Sequence, residues 1–274
     1  MIRFQHDDLL LFESALFRTT TTLFYNEDLL LLVDPNWLPG EVAEIRHWVQ
    51  QLRGTRALYL LFTHSDYDHI IAYGAFPEAQ VIATQALADN PDRASILQQI
   101  RDFDASYYLR RDYPITYPVV DVPVKADGQQ LVLGNTRLTF YLAPGHNRDG
   151  LFTLLEPQGI WIVGDYWSNI EFPYVYHSFA DYRRTIGRLA ELRERHAFRM
   201  LIPGHGDVAV EWGEVEKRQT ESLAYLDRLE DAVRNHRSFD LDSLWRRYDF
   251  PAGMLPFHRG NETLLRRELG LTDQ

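Results

Sequence analysis

The chain has 274 residues, 45% of them hydrophobic, and a formal net charge of -11, a balance that supports a sizeable buried core, excludes a disordered chain and disfavours a surface that tracks nucleic-acid phosphates. It holds no cysteine, which excludes disulfides, a thiolate nucleophile and cysteine-ligated zinc, so a metal would have to rest on His, Asp or Glu. No apolar run approaches a membrane span, and Arg3, His6, Asp7 and Asp8 interrupt residues 1–10 where a signal peptide needs an apolar centre; the expected setting is the cytoplasm, with no membrane partner.

Three strands are predicted first, over residues 9–12, 19–22 and 29–33, the last stopped by Asp34-Pro35. A helix follows over 40–52, with Val42, Ile45, Trp48, Val49 and Leu52 on one face and Gly54 closing it. The apolar run 57–62 has the length of a buried strand and empties into Thr63-His64-Ser65-Asp66-Tyr67-Asp68-His69. A second helix is predicted from near His69, a strand over 80–83 and a helix opened by Pro91 that reaches about Arg101. Residues 112–125 carry Pro114, Pro118 and Pro123 and read as an irregular connection.

After Asp127-Gly128 the pattern changes to short strands over 130–133, 136–142, 151–155 and 160–163, each followed by turn residues. Residues 178–196 read as helix, 200–202 as a short strand, and Pro203-Gly204-His205-Gly206 breaks the chain. From Glu211 a charged helical pattern carries Val215, Leu223, Leu226, Leu229 and Val233 at helical spacing. Strands in two groups with helices between them predict a layered α/β sandwich, because a doubly wound parallel sheet would alternate more regularly.

Four candidate ligands crowd into six residues at His64-x-Asp66-x-Asp68-His69, directly after a buried strand. Imidazole and carboxylate together suit Zn, Fe or Mn. His146 in Ala143-Pro144-Gly145-His146, Asp165 in Val163-Gly164-Asp165 and His205 in Pro203-Gly204-His205-Gly206 each sit in a glycine-bearing turn after an apolar strand. Any one of these is an ordinary turn taken singly; jointly they outline a metal site.

Order, spacing and context together resemble the metallo-β-lactamase superfamily, over about residues 15–206, with Asp34-Pro35, Asp127-Gly128 and the two Pro-Gly-His turns in support. The resemblance implies an αββα four-layer sandwich, with residues 1–210 as the catalytic domain and 211–274 as a helical C-terminal extension packed on it. It also implies two divalent metal ions, the first on His64, Asp66 and His146, the second on Asp68, His69 and His205, with Asp165 bridging them. Asp34 and Thr63 are candidates to orient the ligands, with capping and turn duty the plain alternative. Asp66 stands where the superfamily usually has a second histidine, and its carboxylate tilts the preference from Zn toward Fe or Mn. The flavodiiron branch resembles this chain at that position, although no flavodoxin-like second domain is seen in this sequence.

A two-ion site of this kind acidifies a bridging water for attack on a carbonyl or phosphorus, and Asp68 is the catalytic residue expected to orient it. The predicted activity is therefore hydrolysis of a small-molecule ester, lactone or thioester. Rival readings are a phosphodiesterase, a di-iron redox protein and a metal-free regulatory or binding module. Tyr67, Tyr166 and Trp167 lie beside ligands and are the candidate substrate-binding residues; His177, His258 and the stretch Phe257-His258-Arg259-Gly260-Asn261 are candidates to reach the pocket from the helical parts. The tail is expected to serve as a lid or as a homodimer contact.

Overall fold

Side-chain alternation along the apolar strands sets the layers. The computed structural model describes residues 2–6 and 8–271. A seven-stranded sheet runs in chain order through β1 (Ile2–His6), β2 (Leu9–Glu13), β3 (Thr20–Tyr25), β4 (Leu29–Val33), β5 (Ala57–Leu61), β6 (Gln80–Thr84) and β7 (Val122–Val124). Its first four strands are antiparallel, and β4 to β7 are parallel. Parallel neighbours need crossovers: α1 (Pro39–Arg53) joins β4 to β5, α2 (Tyr67–Ile70) lies between β5 and β6, and α3 (Gln85–Ala88) and α4 (Arg93–Ser106) precede β7.

The second sheet contains β8 (Gln129–Leu133), β9 (Thr136–Leu142), β10 (Leu151–Glu156), β11 (Ile160–Ile162) and β12 (Met200–Ile202), in spatial order β12-β11-β10-β9-β8. All its pairs are antiparallel except β11 with β12. Helices α5 (Phe179–Gly187) and α6 (Leu189–Arg195) lead into β12, and α7 (Trp212–Arg234), α8 (Leu241–Trp245) and α9 (Pro251–Glu268) follow it.

In β4 the odd residues Leu29, Leu31 and Val33 face Leu138, Phe140 and Leu151 of the other sheet, whereas Leu30 and Leu32 turn outward to Val42, Ile45 and Val49 of α1. Tyr141, Phe152 and Leu154 point away from the inter-sheet core, toward Leu189, Leu226, Leu229 and Met254 of α6, α7 and α9. The result is the predicted four-layer αββα sandwich. Each such buried side chain contributes roughly 1.5–3 kcal/mol relative to exposure. Helix α1 is fixed at its start by Glu41, whose carboxylate accepts the amides of Leu38 (3.0 Å) and Ala15 (2.9 Å).

Local differences from the sequence reading have physical causes. β7 forms inside the proline-bearing connection because it is a sheet edge, where Pro123 opposite Ala83 need not donate on its outer side. β1 alternates weakly and carries a register shift between Ile2 and Phe4, so its pattern was faint. Helix α2 begins at Tyr67, ahead of the predicted start, because the Asp66 carbonyl accepts the amides of His69 (3.0 Å) and Ile70 (3.2 Å). The helix expected over 178–196 divides at Arg188, after Gly187, a poor helix former. Among the described residues, no helix is long and apolar enough to cross a membrane.

Candidate metal centre

Every candidate ligand leaves the end of a strand on one rim of the sandwich. His64 and α2 follow β5, His146 follows β9, Asp165 follows β11 and His205 follows β12. The single turn of α2 lets one short segment present Asp66 on one side and Asp68 with His69 on the other. Two turns admit only glycine. At Gly145, with φ of 137°, a Cβ would fall 2.3 Å from Tyr182 Cα, and at Gly204 it would fall 2.1 Å from Asp165 Oδ1. The turns are also tied together, since Gly204 donates its amide to Gly164 at 2.7 Å and Thr20 donates to the Gly204 carbonyl at 2.7 Å.

The four imidazoles share one arrangement, with Nδ1 held from behind and Nε2 turned inward. His69 Nδ1 lies 2.9 Å from Asp34 Oδ2, His146 Nδ1 2.7 Å from the Tyr174 carbonyl, His205 Nδ1 2.9 Å from the Phe17 carbonyl and His64 Nδ1 3.0 Å from Thr63 Oγ1. Thr63 in turn donates its hydroxyl to Asp34 Oδ2 (2.5 Å) and its amide to Asp34 Oδ1 (2.9 Å). Asp34 therefore steadies His69 directly and His64 through Thr63, the orienting position proposed for both residues from sequence.

On the inner side Asp165 is central. Its carboxylate is 3.2 Å from His69 Nε2, 3.3 Å from His205, 3.4 Å from His146 and 3.7 Å from His64. Asp66 Oδ2 lies 3.1 Å from His146 and 3.6 Å from His64, while Asp68 Oδ2 lies 3.6 Å from both His69 and His205. The seven residues form two groups, His64, Asp66, His146 and Asp165 in one and Asp68, His69 and His205 in the other, with donor atoms inside each group within 4.8 Å of one another.

This donor set fits cations. Imidazoles tied through Nδ1–H present lone pairs at Nε2, and here those lone pairs face carboxylate oxygens. His64 Nε2 and Asp165 Oδ1 are buried without any hydrogen-bond partner among the described residues, an arrangement that costs energy unless positive charge lies between them. The same demand appears in the acid–base balance. Burial opposes charging of the histidines, yet the carboxylates outweigh it, lifting His146 to about 9, His205 to about 10 and His69 well above the usual range. Burial raises the Asp68 carboxyl, while at Asp66 and Asp165 the facing histidines overcome burial and hold the carboxyls low.

No protein-family model and no curated protein matches the sequence. Solved structures do match. A metallo-beta-lactamase family protein from Thermus thermophilus aligns with a TM-score of 0.66 at 19% identity, covering 96% of this chain and 93% of its own. The chain has the metallo-β-lactamase fold. Metallo-beta-lactamase from Pontibacter korlensis aligns at 0.58 and 15% identity, over 83% of this chain and 98% of that one. An archaeal metallo-beta-lactamase superfamily protein from Sulfolobus tokodaii aligns at 0.54 and 15% identity, over 82% and 87% respectively.

In this metallo-β-lactamase fold four of the candidate ligands, Asp66, Asp68, Asp165 and His205, floor a cavity of about 480 Å³. Tyr67 lines it, and so does Phe257 from α9. The expected substrate contacts Tyr166 and Trp167 are corrected, because both are buried in the core under the second sheet. Tyr166 Oη accepts the His146 amide (2.9 Å) and donates to the Ala143 carbonyl (3.0 Å), so its ring is drawn inward against Tyr182. Trp167 packs on Phe152. His177 is exposed beside Asp181. His258 and Asn261 are buried, where Asn261 donates to the Pro173 carbonyl (2.6 Å) and accepts the Val175 amide (2.8 Å), fixing the loop that carries Tyr174.

Other residues of the site were missed in the sequence. Asn147 donates to Asp66 Oδ1 at 2.6 Å, and buried Asp149 accepts the Ser65 amide at 3.2 Å, joining the two halves of the sandwich. Glu171 lines the cavity, and burial pushes its carboxyl up to about 7. The signal for Glu171 was present, an acid set between Ile170 and Phe172-Pro173 a few residues after Asp165.

Proposed function

We propose that the protein is a metallo-hydrolase holding two divalent ions and acting on a small ester, lactone or thioester. The supporting observation is the set of four imidazoles, each fixed through Nδ1, whose Nε2 atoms converge on Asp165 in two groups. His64, Asp66 and His146 would hold one ion, Asp68, His69 and His205 the other, and Asp165 would lie between them. Bound ions of this kind supply Lewis acidity and a water-derived nucleophile at neutral pH. Asp66, kept in place by Asn147, adds a hard oxygen donor that favours Fe or Mn over Zn. Asp68, partly exposed at the cavity, would orient the water and take part in passing its proton.

Charge at the cavity supports a carbonyl substrate over a phosphodiester. Among the described residues its lining includes Asp66, Asp68, Asp92, Asp165 and Glu171 and contains no Lys or Arg, so no resident side-chain cation awaits a phosphate. The test is elemental analysis of protein purified without added metal, then turnover of ester, lactone, thioester and phosphodiester panels. Two equivalents of metal and acid release from the carbonyl panel, both lost in His69→Ala, are expected. Protein that takes up no Fe, Mn or Zn, or that prefers phosphodiesters, would sink the proposal.

A further inference from the structure

A second cavity, of about 520 Å³, lies against the first, between the loop at residues 15–18, the loop at 170–174 and the start of α9. The two share Phe17, Glu171, Tyr174 and Phe257 as common walls. Beyond that partition the annex is lined by Ile170, Phe250, Ala252 and Met254. Phe17 and Phe250 stand at it with 47% and 55% of their surface exposed, a cost in water that a bound apolar group would remove.

The annex offers nothing to an anionic tail. Among the described residues its only basic lining residue is Arg18, whose guanidinium is already taken by Glu13 (2.9 Å) and Asp207 (2.5 Å), and its acids are Glu171 and Asp249. The partition is also fixed relative to the metal centre, because the carbonyls of Phe17 and Tyr174 are the groups that hold His205 and His146. Backbone that sets the direction of two candidate ligands thus sets the distance from the metal-facing cavity to the annex.

Resting on the metallo-hydrolase reading, we propose that the annex receives an uncharged alkyl arm of the substrate while the scissile carbonyl occupies the neighbouring cavity. Burial of each added methylene strengthens binding about fourfold until the annex is full. Gly253 lines the annex in helical backbone, and beyond its own turn of helix and its chain neighbours no atom lies within 4 Å of a Cβ built on it, so Gly253→Trp fills the annex with little disturbance to the fold. Phe250→Ser removes an exposed ring from its wall and serves as the second variant.

Two measurements separate the annex from the hydrolase reading. Calorimetric titration with n-alkanols from butanol to decanol, which needs no turnover, is expected to show the roughly fourfold rise per methylene, persisting in His69→Ala, abolished in Gly253→Trp and weakened in Phe250→Ser. In metal-loaded protein, kcat/KM for p-nitrophenyl esters of lengthening acyl chain, or for acetates of lengthening alcohol, is expected to climb with the same slope and to flatten in Gly253→Trp. Alkanol binding without hydrolysis of any ester would overturn the hydrolase reading and leave the annex standing. Hydrolysis with no dependence on length in either series, and no rise in alkanol affinity, would overturn the annex alone. Preference for acetylcholine over 3,3-dimethylbutyl acetate, its uncharged isostere, would overturn the uncharged character of the arm.

Discussion

The side of the cavity backed by the four histidines and the wall made by α9 with the 170–174 loop meet at Phe17 and Tyr174, but different forces hold them. On the histidine side each imidazole has a fixed direction, set by Asp34, Thr63 or a backbone carbonyl. On the α9 side the contacts are mainly ring against ring, edge-on as in Phe172 with Tyr174 at 5.0 Å or stacked as in Phe257 with Tyr174 at 4.3 Å, backed by the anchor of Asn261. Hydrogen bonds around a metal site are directional and fail when one atom is removed, whereas apolar packing depends on area and yields gradually. The histidine wall should therefore be brittle and the α9 wall tunable.

The largest break expected is Asp165→Ala. It removes the carboxylate common to all four imidazoles, and metal affinity is expected to fall by more than the ~100-fold at which loss of a supporting hydrogen bond tops out. Inductively coupled plasma analysis after dialysis reads the loss, and retention of two equivalents would contradict the central role of Asp165. Asp34→Ala ranks next. Metal affinity should drop ~10–100-fold, and the unpaired Thr63 amide and His69 ring should each cost ~1–3 kcal/mol in urea unfolding.

A pH series on chelator-treated protein sharpens the comparison further. His146 and His205 titrate near 9 and 10 when folded, above the ordinary histidine value of 6.5. The folded state thus binds these protons more tightly, so their stabilisation is complete below about pH 6.5 and is lost as pH rises through 9 and 10. Melting temperature of the metal-free protein should fall across that window, an effect on the order of a few kcal/mol, and loading with metal should flatten the fall. A metal-free protein whose melting temperature stays constant there would mean that the carboxylates do not hold these rings charged. The smallest effect belongs to the other wall. Phe257→Ala should leave metal content unchanged and raise KM by less than about tenfold, in keeping with an aromatic contact of ~0.5–1.5 kcal/mol; loss of metal in that variant would show the two walls to be one unit.

How much of this was legible can be judged from particular residues. His64, Asp66, Asp68, His69, His146, Asp165 and His205 stood out because each follows a strand whose apolar pattern is local, and the structure brings all seven together. Asp149 and Asn147 carried no such mark, since their partners Ser65 and Asp66 are 84 and 81 residues away. β1 and β7 were hidden for a related reason, as edge strands gain their identity from a neighbour rather than from their own alternation.

The sequence by itself determined the layered class and the donor types of the candidate site, because strand periodicity and ligand type are properties of short stretches. Tertiary structure alone decided the direction of side chains in otherwise similar loops. Tyr67 turns to the cavity, whereas Tyr166 is pulled into the core by the His146 amide and Ala143 carbonyl and Trp167 packs there against Phe152. It alone also brought α9 beside the 15–18 loop to enclose an apolar annex. Those outcomes depend on hydrogen bonds and ring contacts between residues far apart in the chain, which no local pattern encodes.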